Sequence, residues 1–214
     1  MDEKAWLDCT DPRPMIGFLI RAASDRKLRL FACACCRRIW HLLSNEIGRS
    51  AVQAAGLHAD GLISNEELNG ARARAEVARV NPPVPDSAAF CTTWVDNWPS
   101  FPMGRIVLGV DDAPLFAARF SDNYGAERIW QATIVRDLFG NPFRPVTLAA
   151  SCLTTTVKSL AQAIYEERNF TDMPVLADAL EDAGCTNAEI LTHCREAGDH
   201  ARGCWGLDLI LGKG

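Results

Sequence analysis

CTNAEILTHCREAGDHARGC, residues Cys185 to Cys204, gathers three cysteines and two histidines into twenty positions. The spacing C-x8-C-x5-H-x3-C approaches the C-x8-C-x5-C-x3-H of one class of small zinc finger. Two folds compete for this stretch: a metal-ordered loop, or one half of a helical hairpin. Local chemistry favours the helix. Thr186 and Glu189 form the pattern of a capping box, T-N-A-E, which puts Asn187 at the first helical position and Ile190 at the fourth. Cys185, just before that cap, is placed to pack on Ile190. Cys194 follows four residues later on the same face.

That geometry tells against a finger. Across a helix, Asn187 and Cys194 stand roughly 10 Å apart along the axis at ~1.5 Å per residue. Two thiolates on one zinc are at most ~4.6 Å apart, since each lies about 2.3 Å from the metal. Cys185 and Cys194 are therefore not expected to share an ion unless the helix is broken or the entering chain folds back over it. A reduced ligand set remains: His193, or Cys194 in its place, with His200 and Cys204. Three such donors suit an open, catalytic type of zinc site with a fourth position for water. The plainer reading leaves the histidines to cap carbonyls or face solvent.

Outward from this stretch the helical signals continue. PVLADALEDA precedes it across only Gly184-Cys185-Thr186, so an αα-hairpin is expected, and CWGLDLILG closes the chain with a last apolar run. Upstream, Leu153, Val157, Leu160, Ala161 and Ile164 mark a helix over 152–168. Ile129, Trp130, Thr133, Ile134 and Leu138 mark one from about Tyr124 to a stop at Gly140. Near the front, Asp11-Pro12 starts a helix, and Ser24 caps SDRKLRLFACACCRRIWHLL, whose Leu28, Phe31, Ala32, Cys35, Ile39 and Leu42 share a face. ISNEEL reads as a capping box of Ser64 and Glu67, and its helix runs to about Val80, where NPPVP stops it. Residues 81–122 form an irregular, insertion-like segment in which GRIVLGV, 104–110, is the one candidate for a minor β element. The expected fold is all-α: a multi-helix single domain over 1–214 with a C-terminal αα-hairpin.

The totals bound the function. With 214 residues, 48% hydrophobic and 23% charged, the chain belongs with ordinary globular proteins. MDEKAWLDCTDPRP lacks the apolar core of a signal peptide and no stretch reaches membrane-spanning length, so a soluble cytoplasmic protein is expected, without membrane association. Nine cysteines cannot all pair within one molecule, and in a reducing compartment cysteine acts mostly as a small buried hydrophobe. Residues 1–50 hold nine Lys/Arg against six Asp/Glu, a balance of +3, but the whole chain carries −5. It lacks the basic stripe of a nucleic-acid binder, which makes nucleic acid an unlikely partner class.

Other motifs are weaker. Cys33 and Cys36 share one side of their helix, but Cys35, Cys36 and His41 lie at angles that cannot converge on one ion, although Arg37 and Arg38 could favour a thiolate at Cys36. There is no G-x-S-x-G, no H-E-x-x-H and no G-x-G-x-x-G. Trp94 and Trp98, four apart beside the proline-rich stretch, fit core filling and, if exposed, a partner-binding surface.

Five blocks, DPRPMIGFL, SDRKLRLFACACCRRIWHLL, FGNPFRPV, LADALEDAGC and HCREAGDHARGCWGLDLILGK, resemble an uncharacterised bacterial family found alone or beside repeat modules. LADALEDAGC…EILTHCR is also similar to a short helical companion domain seen next to leucine-rich repeats. The resemblance implies no particular activity and no catalytic residue. The leading functional expectation is a non-enzymatic helical interaction or scaffold module with a protein partner and no cofactor. The first alternative is a metal-dependent or thiol enzyme, with zinc on His193, His200 and Cys204 and Cys36 as an outside nucleophile. The second is a nucleic-acid accessory protein using Arg21, Arg26, Lys27, Arg29, Arg37 and Arg38.

Overall fold

Capping residues decide where the first helices begin. Asp11 accepts the Arg13 amide at 2.9 Å and Pro12 is the first residue of α2 (Pro12–Leu19), behind the short α1 (Glu3–Asp8). The computed structural model describes residues 1–43, 46–79, 93, 112–196 and 198–213. Trp94, Trp98 and the expected β element at 104–110 lie outside these. Every regular element among the described residues is an α or 3-10 helix, and the fold is all-α. None of the described helices is long and apolar enough to cross a membrane.

Packing divides the chain into two compact units: Met1 with Ala5–Val135, and Asp2–Lys4 with Arg136–Gly214. In the first, Ser24 accepts the Lys27 amide at 3.3 Å and starts α3 (Asp25–Arg38). Nine consecutive residues, Leu28 to Cys36, are buried, so the expected stripe has become a helix covered all round. It packs against α4 (Glu46–Ala59) and α6 (Asp112–Phe120). The helix stops at Arg38, earlier than the apolar run suggests, because Ile39 leaves helical geometry at φ −101°, ψ 22°. A 3-10 turn, Trp40–Leu42, follows, and Leu43 rather than Leu42 fills the core.

Between α4 and α5 (Asn65–Arg79), Ala51, Ala55, Ala71 and Ala75 are buried, and such small side chains let two helices approach closely. The Ser64–Glu67 capping box forms as expected: Ser64 N–H donates to Glu67 Oε2 at 2.8 Å, and Glu67 N–H donates to Ser64 Oγ at 3.2 Å. Helix α6 places a regular element at the end of the segment read as irregular, 81–122. Pro114 sits in its first turn, where a missing N–H costs nothing, so the proline does not break it.

Helix α7 (Tyr124–Phe139) is rotated from its sequence-based face. Ile129 is 52% exposed and Thr133 is exposed, whereas Gln131, Ala132, Ile134, Val135, Asp137 and Leu138 are buried. Its end is Gly140, at φ +66°, whose N–H donates to Arg136 O at 2.8 Å.

In the second unit, Glu3 accepts hydrogen bonds from Asn141 at 2.8 Å and from Arg144. A 3-10 turn, Ala150–Cys152, then precedes α8 (Thr155–Glu167), so the helix expected from 152 begins later, where Thr154 Oγ1 accepts the Val157 amide at 3.3 Å. It ends at Arg168, a left-handed residue with φ 56°. The expected αα-hairpin is α9 (Met173–Asp182) and α10 (Ala188–Arg195), which pack together. At the turn, Gly184 adopts φ +83° while Cys185 N–H reaches back to Leu180 O at 2.9 Å. The last helix, α11 (Trp205–Leu211), lies on α8. Val157, Ile164 and Tyr165 of α8, Leu176 and Leu180 of α9, Ile190 and Cys194 of α10, and Leu207 and Ile210 of α11 build one core.

Candidate metal centre

The local start of α10 differs from the sequence reading by one residue. Asn187, not Thr186, is the cap: its Oδ1 accepts the amides of Glu189 at 3.0 Å and Ile190 at 3.3 Å. Asparagine outranks threonine as a cap, and here it satisfies two amides at once. Helix α10 is unbroken from Ala188 to Arg195, and Cys185 and Cys194 are buried in the unit's core with Ile190 between them in sequence.

The last turn of α10 turns His193 to the end of the unit where the loop folds back. Four ligand-type groups meet there: Asp137, His193, His200 and Cys204, with their donor atoms all within 4.8 Å of one another. His193 Nε2 lies 3.0 Å from Cys204 Sγ and 3.6 Å from Asp137 Oδ1. His200 Nδ1 lies 2.6 Å from the same Oδ1. The side chains are 4% exposed at Asp137, 7% at His200 and 17% at His193, and Cys204 is wholly buried.

The structure thus brings together the three sequence-expected ligands and adds Asp137, which the sequence reading missed. Asp137 comes from the last turn of α7. Its second oxygen is taken: Ala201 N–H donates to Oδ2 at 2.8 Å, leaving Oδ1 turned to the two imidazoles. Cys204 is held by a tight turn in which its N–H donates to Ala201 O at 2.9 Å and Gly203 adopts φ +91°.

Burial sets the protonation states. It depresses His193 to about 4, against an opposing pull from the Asp137 carboxylate, with His200 adding a smaller depression. The imidazole is neutral near pH 7, the form that ligates metal. Burial also raises the Cys204 thiol well above its ordinary range. Asp137 adds to this, while the amides of Leu207 and Gly206 pull the other way.

Hydrogen-bonded Cys, His and Asp also occur in nucleophilic triads, but there the thiol and the carboxylate engage opposite ring nitrogens. Here Cys204 and Asp137 both face Nε2 of His193. Such convergence on one point suits candidate metal ligands. In a tetrahedral zinc site neighbouring donors are roughly 3.3–3.6 Å apart, given bond lengths of about 2.0–2.3 Å. The 3.6 Å between His193 Nε2 and Asp137 Oδ1 falls in that span, whereas the 3.0 Å and 2.6 Å contacts are shorter, at hydrogen-bond distance.

The remaining candidates are dispersed. Cys36 is fully buried in α3. Arg26 pairs with Asp60, Arg29 is buried and donates to Thr93 O, Arg37 lies over Trp40, and Arg38 pairs with Glu127 and lies over Trp130. Much of the basic front is thereby spent on internal partners.

No known protein family, curated protein or solved structure matches the chain.

Proposed function

We propose that Asp137, His193, His200 and Cys204 hold one zinc ion in a closed, structural site, and that the chain acts as a metal-stapled, non-enzymatic helical module presenting its surface to a protein partner. The observation that carries this reading is the meeting of four ligand-type donors from α7, α10, the following loop and the start of α11. Two imidazoles, a thiolate and a carboxylate suit a borderline-soft ion that takes four ligands. The amide of Ala201 on Asp137 Oδ2 supplies the outer support that ligating carboxylates need.

A catalytic zinc site keeps a position for water, which three protein ligands would leave. Asp137 supplies a fourth, and the burial of Cys204 leaves a thiol nucleophile no approach for substrate. Both points favour a staple over an enzyme. The test is elemental analysis and native mass spectrometry of protein purified without added metal. One equivalent of zinc, lost in Cys204→Ala, is the expected result; metal-free wild type that also fails to take up added zinc overturns the proposal.

A further inference from the structure

Helix α11 opens with Trp205 and Gly206, and both lie against His193. The Trp205 ring centroid is 4.8 Å from that of His193, with 39° between the planes. A Cβ on Gly206 would stand 3.2 Å from His193 Cδ2 and 3.7 Å from Nε2. The imidazole has little room to yield. His200 meets it edge-on at 5.0 Å between centroids, and Cys204 Sγ lies 3.0 Å from Nε2. Trp205 is held in turn: a Cβ on Gly140 would come within 3.3 Å of the indole Cγ, and the left-handed φ of +66° at Gly140 favours glycine there in any case.

We propose that Trp205 and Gly206 are the positioning residues of the metal centre, a seat that fixes the His193 ring so that Nε2 points at the other three donors. This rests on the zinc reading above and extends it to residues that donate nothing themselves. The physical reason is tolerance. Metal–ligand distances in a working site vary by only about 0.2 Å, and residues of the outer shell change affinity about 10- to 100-fold when lost. A methyl group at Gly206 demands a shift of a few tenths of an ångström from His193. That is enough to mis-set one ligand, whereas Ile190 Cγ1 of the core, 3.8 Å from the added carbon, stays at ordinary van der Waals distance.

The experiment compares wild type, Gly206→Ala and Gly198→Ala. The control adds the same methyl where nothing lies within 4 Å, two residues from His200. Zinc affinity is read by competition with a chromophoric chelator, and ligand geometry by the absorption of the Co2+-substituted protein. The ring-proton NMR shifts of His193, assigned with His193→Gln, report the stacking on Trp205 whether or not metal is present. Expected is an affinity about 10- to 100-fold weaker for Gly206→Ala, with an altered cobalt spectrum and displaced His193 shifts, while Gly198→Ala matches wild type. Trp205→Phe, which keeps an aromatic face, should retain most of the affinity that Trp205→Ala loses. His193 shifts unchanged in Gly206→Ala overturn the positioning role, as does wild-type affinity in that variant. Wild type that binds neither zinc nor cobalt sinks the zinc reading instead, and the NMR comparison still decides the seat.

Discussion

The backbone N–H of Ala201 donates to Asp137 Oδ2 at 2.8 Å across 64 residues of sequence. One contact thereby ties the end of α7 to the loop before α11 and orients a buried carboxylate. Asparagine at 137 can keep an oxygen on that amide while turning a non-ligating NH2 toward the histidines. Asp137→Asn is therefore expected to fold and to bind zinc at least about tenfold more weakly, measured by chelator competition. Unchanged affinity would remove Asp137 from the ligand set.

His193 gives the metal-free protein a specific acid response. Its folded value, about 4, lies below its ordinary 6.5, so the unfolded chain takes up the proton more readily. The stability tied to its neutral form is fully present above pH 6.5 and is lost as pH falls through about 4. Urea unfolding in EDTA at pH 7, 5.5 and 4 should show this fall, and His193→Gln should flatten it. Equal pH slopes in the two proteins would contradict the burial assigned to the ring.

Cysteine labelling separates the packed thiols from any reactive one. Among the described residues Cys9 is the one cysteine that is not buried, and burial pushes Cys194 up to about 12. Brief iodoacetamide treatment followed by peptide mass mapping should label Cys9 while sparing Cys36, Cys194 and Cys204. Fast labelling of Cys36 would restore the thiol-enzyme alternative.

The cap of α10 can be tested by a pair of substitutions. Asn187→Ala removes the oxygen that serves two amides and should cost about 1 kcal/mol in urea unfolding. Thr186→Ala should cost clearly less. The reverse order would return the cap to Thr186.

His193, His200 and Cys204 stand out in sequence as candidate ligands because they lie close together along the chain, in the last turn of one helix and the segment that follows it. Asp137 was not legible, for two physical reasons. It comes from a distant helix, and the apolar residues Ile129 and Trp130 drew the wheel toward a face on which Ile129 and Thr133 are in fact solvent-exposed. Turned to the observed face, α7 sets Asp137 beside Ile134 and Leu138, and an acid among core positions is the signal that could have found it. The shift from Thr186 to Asn187 has a local cause, since two good caps in succession leave the choice to the amide geometry. Helix α6 escaped because nine residues with an early proline carry too little periodicity to distinguish from coil.

The hydrogen bond between His193 and Cys204 closes an eleven-residue bracket around an exposed bend that includes Gly198 and Asp199. Scission at that bend leaves both cut ends anchored, one through α10 and the other through α11 on α8. A nicked molecule should run as two fragments once denatured yet travel as one particle in native gel filtration, so the bend is a place where the chain can be interrupted without being taken apart.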